Sequence, residues 1–308
     1  MNSNLLIVGG TGFIGKALAL EAIKRGYIVT IISLLKCHDV HRIPKCTYIS
    51  VDITDFNLLE AKLKNNSFNY VVNLAGYVDH GGFRKSGNSV INTHLVGLIN
   101  IIRVLNPKSL IRFVQIGSSD EYGSNTAPQL EKMREAPFTP YSFAKASCTH
   151  LIQMLSRAEN FPGVILRFFL VYGPGQASNR FIPQVINSFL SNSKVTLSTC
   201  NQIRDFCYVT DIINGIFKVL PRNDVNGEVF NIASGKPLQL KTIVDQLKAA
   251  IGKGIPQFGV HEIRNGENLS LYADISKAKS ILNWSPTITI NDGLFRCIEF
   301  YRRKLKTS

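Results

Sequence analysis

The stretch Asn4-Leu5-Leu6-Ile7-Val8-Gly9-Gly10-Thr11-Gly12-Phe13-Ile14-Gly15 decides the fold of this chain. An apolar run typical of a buried strand is followed at once by glycines, and a helical pattern begins at Lys16. A strand that turns through glycines into a helix leaves backbone N–H groups at the helix N-terminus, where they bind anions. Glycine is needed because a side chain would keep a phosphate away from the backbone. The stretch therefore predicts a site for the pyrophosphate of a dinucleotide.

Strand-like apolar runs alternate with helical patterns through most of the chain. The predicted strands are Leu5–Val8, Ile28–Ser33, Tyr48–Val51, Tyr70–Leu74, Arg112–Gly117, Val164–Phe168 and Val229–Ile232. The segments with helical periodicity are Lys16–Arg25, Asn57–Lys64, Val90–Leu105 and Ser142–Arg157. This alternation predicts an α/β fold with a Rossmann-like doubly wound parallel sheet. Ligands of such sheets bind beyond the carboxyl ends of the strands.

The pattern changes after the turn signal Gly173-Pro174-Gly175, where elements become shorter and loops more polar. We expect a dinucleotide-binding domain over residues 1–170, to which the chain returns at about 206–235. A smaller C-terminal α/β substrate-binding region is expected over residues 171–308.

The composition is typical of a globular enzyme. No apolar run approaches the ~20 residues that cross a bilayer, and the N-terminus lacks a secretory signal, so we expect a cytoplasmic protein without membrane insertion. The net charge of +14 is dispersed, apart from Arg302-Arg303-Lys304, which we interpret as a solvated helix end. This charge favours phosphate-bearing small molecules over nucleic acid as partners. The cysteines form no C-x-x-C pair, and no histidine cluster has metal-ligand spacing, so no metal site is predicted.

Two further segments carry residues suited to proton transfer. Tyr141 and Lys145 are spaced to share one face of a helix, where a lysine cation lowers the pKa of a tyrosine from its usual value of about 10. Such a tyrosine acts as an acid or base near neutral pH. Ser118 ends a predicted strand and is placed to hydrogen-bond a substrate carbonyl or hydroxyl. His80, beside Gly81-Gly82, is interpreted as a loop residue.

With these motifs the chain resembles the extended short-chain dehydrogenase/reductases, in the branch of NAD-dependent epimerases and dehydratases. The resemblance covers almost the whole chain. Its landmarks are the glycines of the first turn, Asp52-Ile53, Asn73-Leu74-Ala75-Gly76, Asn92, Ser118, Tyr141 with Lys145, Arg167 through Tyr172-Gly173-Pro174, Arg204-Asp205-Phe206 with Tyr208-Val209 and Asp211, Ala273 to Lys279, and Leu282 to Pro286.

The resemblance implies that Ser118, Tyr141 and Lys145 act on a sugar attached to a nucleoside diphosphate, with a nicotinamide cofactor carrying the hydride. The implied cofactor-binding residues are Gly9, Thr11, Gly12, Phe13, Ile14, Gly15, Ser33, Lys36, Asp52, Ile53, Leu74, Ala75, Gly76, Asn92, Tyr141, Lys145 and Phe168. The candidate substrate-binding residues are Ser118, Ser119, Asn179, Arg180, Arg204, Arg264 and Glu267. The arginines suit the diphosphate because guanidinium binds phosphate in a fork, and Glu267 suits ribose hydroxyls. The resemblance also implies a homodimer paired through Val90–Leu105 and Ser142–Arg157.

The second predicted strand ends Ile31-Ile32-Ser33-Leu34-Leu35-Lys36, without the acid that usually binds the ribose of NAD. The nearest acid is Asp39. Ser33 and Lys36 suit a 2′-phosphate, so the sequence favours NADP(H) and leaves NAD(H) open.

The segment Gly117-Ser118-Ser119-Asp120-Glu121-Tyr122-Gly123 bears on the reaction. Dehydratases of the family carry Asp-Glu directly after the hydroxyl residue, and here that register gives Ser119 and Asp120. The segment is more similar to 4-keto-6-deoxyhexose reductases, so a reductase of an NDP-4-keto-6-deoxysugar is predicted, in deoxysugar biosynthesis for a surface polysaccharide such as lipopolysaccharide. A one-residue slip restores the dehydratase arrangement, so a 4,6-dehydratase or epimerase is the alternative. A non-catalytic NADP-binding protein is a third hypothesis.

Leu170 replaces an asparagine that is common in the family, which alters substrate contacts.

Overall fold

The computed structural model describes residues 3–38, 42–263 and 266–307. Arg264 and Asp39, both considered above, lie outside the described residues. The chain divides into two compact units. Unit 1 comprises Met1–Gly123, Arg134–Phe168 and Ile213–Phe230, and unit 2 comprises Ser124–Met133, Phe169–Ile212 and Asn231–Ser308.

The strands follow the chain in this order: β1 (Asn4–Val8), β2 (Ile28–Ser33), β3 (Cys46–Ser50), β4 (Tyr70–Asn73), β5 (Arg112–Ser118), β6 (Gly163–Phe168), β7 (Leu170–Tyr172), β8 (Lys194–Thr196), β9 (Ile203–Tyr208), β10 (Val229–Ile232), β11 (Pro237–Gln239), β12 (Ile255–Gln257) and β13 (Ser270–Leu271). The α-helices are α1 (Phe13–Lys24), α2 (Phe56–Leu63), α3 (Asn88–Ile91), α4 (Gly97–Val104), α5 (Pro140–Glu159), α6 (Phe181–Leu190), α7 (Val209–Val219), α8 (Leu240–Ile251), α9 (Ser276–Leu282) and α10 (Ile290–Thr307).

Unit 1 is built on a seven-stranded sheet in the order β10-β6-β5-β4-β1-β2-β3. Pairing from β3 through to β6 is parallel throughout. The strands are continuous apolar runs because helices cover both faces of the sheet, and Leu6, Val71, Phe113 and Ile165 lie in its core. The predicted α/β fold with a Rossmann-like parallel sheet is confirmed.

The sheet order brings the carboxyl ends of β1, β4 and β5 side by side. Val8 pairs with Asn73, and Asn73 pairs with Gln115, so the segments that follow these strands leave the same edge. Helix α5 packs against β5 and β6. The edge therefore collects the glycine turn, the segment after β4, and the end of β5.

Two helices differ from the sequence expectation. Helix α1 begins at Phe13, three residues before the expected start, because Gly12 has the extended backbone of an N-cap. The expected helix Val90–Leu105 is interrupted by a π-helical turn at Asn92–Val96, and a second such turn lies at Phe83–Gly87. Wider turns of this kind accommodate an extra residue and often occur at functional sites.

Unit 2 contains a four-stranded sheet in which β9 pairs with β7, β11 and β13, and a two-stranded sheet of β8 and β12. Asp211 ties its C-terminal part together, since it accepts hydrogen bonds from Thr287 Oγ1 at 2.8 Å and from the N–H of Ile288 at 3.0 Å. Within the described ranges, no helix is long and apolar enough to cross a membrane.

Candidate active site

In the glycine turn after β1, the fold requires Gly9 and Gly15 but does not require Gly12. Gly9 has a φ of +79°, and a Cβ on Gly15 would lie 2.5 Å from Cα of Gly10. A Cβ on Gly12 would meet only the carbonyl oxygen of Gly9, at 3.4 Å. Gly12 caps α1 without any side-chain hydrogen bond, so the N–H groups of the first turn remain accessible to a ligand. This bare helix end fits a pyrophosphate.

The other glycine-turn candidates form the start of α1. Thr11, Phe13 and Ile14 are each half-buried, with Phe13 and Ile14 in the first helical turn. Their backbone therefore lies where a phosphate at this helix end would be contacted.

The end of β2 bears on cofactor choice. The hydroxyl of Ser33 donates to the carbonyl of Leu35 at 2.8 Å, and Lys36 is exposed. Ser33 therefore already has a backbone partner, although its oxygen retains acceptor capacity. No carboxylate occurs on the described residues from 33 to 38.

The segment after β3 has local hydrogen bonds of its own. The Asp52 carboxylate accepts from the N–H of Thr54 at 2.9 Å and from its hydroxyl at 2.8 Å. Ile53 is buried, and its carbonyl accepts from the Asn100 side chain at 3.0 Å. Asp52 itself is exposed and keeps a second carboxylate oxygen for a ligand.

The segment after β4 leaves the same edge of the sheet. The N–H of Leu74 continues the β1 pairing by donating to the carbonyl of Val8 at 2.9 Å. The N–H of Ala75 donates to the Asn73 side chain at 3.2 Å. Gly76 has a φ of +107°, so the chain turns away from the strand at this point.

Ser118 is fixed by its own turn at the end of β5. Its hydroxyl oxygen accepts from the N–H of Asp120 at 3.2 Å, and its N–H donates to Glu121 Oε1 at 2.8 Å. A hydroxyl used as an acceptor keeps its proton to donate. Ser118 is thereby oriented as a hydrogen-bond donor. Its neighbour Ser119 is buried. Phe168, at the end of β6, is the residue that pairs with Ser118 of β5.

Tyr141 and Lys145 lie one turn apart near the start of α5, whose N-terminus is capped by Thr139. Lys145 Nζ donates to the carbonyl of Ile116 at 2.8 Å and lies 5.9 Å from the ring centroid of Tyr141. Burial lowers the pKa of Lys145. The helix thus presents the Lys145 ammonium towards the end of β5, one turn away from Tyr141.

Glu121 is fully buried and has a structural role. Its Oε2 accepts from Thr149 Oγ1 and from Arg167 Nε, each at 2.8 Å, while Oε1 holds the Ser118 N–H. Arg167 also pairs with Glu135. Because every Glu121 oxygen has a protein partner, Glu121 is not available as a substrate acid or base. This bonding argues against the alternative alignment, shifted by one residue, in which Asp120 and Glu121 would form a dehydratase pair.

Two histidines flank Tyr141. The ring centroids of His94 and His80 lie 5.4 and 5.6 Å from that of Tyr141. His94 is 4% exposed, and its Nε2 lies 3.1 Å from the carbonyl of Tyr77. Burial, with a smaller effect of Lys145, lowers the pKa of His94 to about 3, so the ring is neutral and donates from Nε2.

Sequence reasoning missed His94 and treated His80 as a loop residue. Asn92, the expected cofactor residue of this helix, is exposed, whereas the π-helical turn directs His94 inward. His80 lies with its Nε2 3.8 Å from Asp120 Oδ2. A histidine within an apolar helical stretch was a visible signal, but its pairing with Gly76 and Tyr141 depends on the fold.

The substrate-binding candidates of unit 2 are only partly brought together. Arg204 is buried and pairs with Glu267, while its Nη1 donates to the carbonyl of Ile203 at 2.8 Å. Asn179 and Arg180 are exposed just before α6. Arg204 and Glu267, which were expected at a phosphate and at a ribose, thus contact each other, and their roles towards a ligand stay predictions.

A bare helix N-terminus at a parallel-sheet edge, beside a serine, a tyrosine and a lysine, is typical of nicotinamide-dependent α/β enzymes. The sequence pattern of the NAD dependent epimerase/dehydratase family matches residues 5–233. The chain belongs to the NAD-dependent epimerase/dehydratase family.

Similar proteins cover almost the whole chain. A UDP-glucuronate 4-epimerase of Thermodesulfobacterium geofontis is 24% identical over 98% of this chain and 97% of its own length. A dTDP-glucose 4,6-dehydratase of Haemophilus influenzae is 24% identical over 97% of each chain. The crystal structure of a UDP-glucuronic acid 4-epimerase from Bacillus cereus, in complex with UDP-glucuronic acid and NAD, is 26% identical, with a TM-score of 0.88 over 98% of this chain and 99% of that one.

Proposed function

We propose that this protein is an epimerase of nucleoside-diphosphate sugars that begins its cycle by oxidising a hydroxyl of the sugar ring. Its relatives include a UDP-glucuronate 4-epimerase and a dTDP-glucose 4,6-dehydratase. Both of these activities concern a sugar attached to a nucleoside diphosphate, which supports the same substrate class here.

We favour epimerisation over dehydration because of the buried position of Glu121. Loss of water from a sugar needs an acid and a base directed at neighbouring positions. In this chain Ser119 stands where the dehydratase acid belongs, and Glu121 is occupied by Arg167, Thr149 and the Ser118 N–H. An epimerase needs no such pair, because the oxidation requires a single proton acceptor.

Each residue of the proposed centre has one role. Tyr141 accepts the proton of the sugar hydroxyl, and Ser118 donates a hydrogen bond to the same oxygen as it becomes a carbonyl. The Lys145 cation favours the phenolate of Tyr141. Bound nicotinamide supplies the hydride acceptor. General base help of this kind contributes about 10²- to 10⁴-fold in rate.

The cofactor is proposed to lie with its pyrophosphate at the N-terminus of α1. The NAD-dependent family supports a nicotinamide dinucleotide. The lack of an acid on residues 33–38 supports acceptance of NADP as well as NAD, because no carboxylate repels a 2′-phosphate. In the variant Ser33→Asp we expect weaker NADP binding and unchanged or stronger NAD binding, measured by titration of the protein's fluorescence.

Reduction of an NDP-4-keto-6-deoxysugar is the second candidate. The absence of an acid at the end of β2 favours it, since a reductase that consumes NADPH must release its cofactor at every turnover. The role of Arg204 at a phosphate stays a prediction, as does the homodimer through Val90–Leu105 and Ser142–Arg157.

One assay separates the candidates. Wild-type protein and Tyr141→Phe are incubated with UDP-glucose, UDP-glucuronate or dTDP-glucose and either oxidised cofactor, and products are analysed by mass and proton NMR. An epimerase gives an isomer of unchanged mass without net reduction of cofactor. A product lighter by one water contradicts the proposal in favour of a dehydratase. In a parallel incubation the protein receives NADPH and a 4-keto-6-deoxy sugar nucleotide. Steady consumption of NADPH there, with no isomer in the first incubations, contradicts the proposal in favour of a reductase.

A further inference from the structure

The hydroxyl of Tyr301, on α10, holds the segment of residues 173–180 that joins β7 to α6. Tyr301 is 3% exposed, and its Oη donates to the carbonyl of Gln176 at 2.6 Å. The Gln176 side chain in turn donates from Nε2 to the carbonyl of Val171 in β7 at 2.8 Å. These two hydrogen bonds attach the middle of the 173–180 segment both to α10 and to β7.

The same segment carries two of the predicted substrate-binding residues. Asn179 and Arg180 follow shortly after Gln176, and both are exposed. Within the described residues, neither side chain has a hydrogen-bond or ion-pair partner. An amide and a guanidinium without protein partners are available to donate to the phosphate or hydroxyl oxygens of a ligand.

Helix α10 provides a firm support for this hydrogen bond. It packs against α6 and β9, and its residues Cys297 and Ile298 are buried. Phe300 lies close to Gly175, since a Cβ built on Gly175 would be 3.9 Å from Cζ of Phe300. Burial raises the pKa of Tyr301 to about 12, so the hydroxyl keeps its proton and donates it at neutral pH.

We propose that Tyr301 is a positioning residue, which sets the affinity for the nucleotide sugar by holding the 173–180 segment in its binding conformation. The inference rests on the proposed function, under which a nucleotide sugar is the ligand, and adds that Asn179 and Arg180 contact it. Without the hydroxyl the segment samples more conformations, and the ligand has to order it on binding. That ordering lowers the affinity and leaves the chemical step unchanged.

The variant Tyr301→Phe removes the hydroxyl and keeps the ring. Wild type and variant, each with NAD, are titrated by calorimetry with UDP-glucose, UDP-glucuronate and dTDP-glucose. The values of kcat and KM are measured with the sugar nucleotide that wild type converts. We expect Kd and KM to rise about 10-fold in the variant, while kcat stays within about threefold of wild type.

Hydrogen exchange measures the segment itself, independently of any sugar nucleotide. The amides of residues 175–180 are followed by mass spectrometry in both proteins without substrate. Exchange should be about 10-fold faster in Tyr301→Phe, because the segment opens more often when it is no longer tied to α10.

The matched control is Thr287→Val. Thr287 also donates a hydroxyl hydrogen bond within unit 2, but its acceptor is Asp211 Oδ1, at 2.8 Å, and not the 173–180 segment. The affinity for the sugar nucleotide and the exchange of residues 175–180 should stay within about twofold of wild type, since separate sites act independently.

Four results would overturn the inference alone. They are wild-type affinity in Tyr301→Phe, equal weakening of binding in Tyr301→Phe and Thr287→Val, a fall in kcat at unchanged KM, and unchanged exchange of residues 175–180 in Tyr301→Phe. If wild type bound and converted none of the three sugar nucleotides, the proposed function would be overturned, and this inference with it.

Discussion

The imidazole of His94 occupies the space that Gly76 leaves free. A Cβ built on Gly76 would lie 2.5 Å from Nδ1 of His94, and Gly76 adopts a φ of +107°. The segment after β4 and the helix that carries His94 are therefore complementary at this point. Since His94 contacts the Tyr141 ring, the complementarity reaches the proposed catalytic tyrosine.

Gly76→Ala is expected to destabilise the protein by about 3 kcal/mol, because backbone strain and displacement of His94 add together. Chemical denaturation monitored by circular dichroism measures the loss. Gly26→Ala is the control, since Gly26 also has a positive φ, of +84°, but nothing lies within 4 Å of the added Cβ. That variant should lose only the strain, about 1–2 kcal/mol. Equal losses in both variants would refute the role of His94.

His94 should make the protein sensitive to acid. Its folded pKa of about 3 lies below the ordinary value of 6.5, so unfolding takes up a proton as the pH falls below 6.5. Stability conferred by the neutral ring is complete above pH 6.5 and is lost as the pH falls towards 3. At pH 5 the loss is about 2 kcal/mol.

The variant His94→Gln lacks this proton uptake. Its destabilisation relative to wild type should therefore shrink by about 2 kcal/mol between pH 7 and pH 5. Urea titrations of both proteins at each pH supply the comparison. Parallel pH profiles would show that the neutral buried histidine is wrongly assigned.

The fold was more predictable from sequence than the site. The strands of the sheet could be predicted from apolar runs in the sequence. A strand that is covered on both faces is a continuous apolar run, which can be recognised without knowing which strands it pairs with. Ser118, Tyr141 and Lys145 could be proposed from sequence because their spacing is local, and in the structure Tyr141 and Lys145 lie one turn apart on α5. The contacts of His94 with Gly76 and of Glu121 with Arg167 join residues distant in sequence, so no local pattern revealed them.

Gly12→Ala and Gly15→Ala separate binding from folding in the first turn. Gly12→Ala should alter the free energy of unfolding by no more than about 0.5 kcal/mol, yet weaken cofactor binding about 10-fold or more by covering the helix end. Gly15→Ala should cost about 2 kcal/mol or more, since its Cβ would overlap the backbone of Gly10. Calorimetric titration and denaturation test both. If Gly12→Ala bound the cofactor as tightly as wild type, the proposal that the pyrophosphate lies at the N-terminus of α1 would be contradicted.

Glu121→Leu should destabilise the protein by about 3–5 kcal/mol, because it leaves Arg167 buried without its inner partner. Glu121→Gln retains an acceptor for the Ser118 N–H and should recover part of the turnover lost in Glu121→Leu. Denaturation and kcat measured on both variants check this. If Glu121→Gln keeps wild-type stability, the Glu121–Arg167 charge pair does not hold the turn.

The most direct test of the account is reduction of the bound nicotinamide in the first half-reaction. Wild type, Tyr141→Phe and Ser118→Ala are mixed with oxidised cofactor and the sugar nucleotide that wild type converts, and absorbance of reduced nicotinamide is followed in a single turnover. We predict reduction by wild type, slowed about 10²-fold or more in Tyr141→Phe and less in Ser118→Ala. A rate in Tyr141→Phe equal to that of wild type would contradict it.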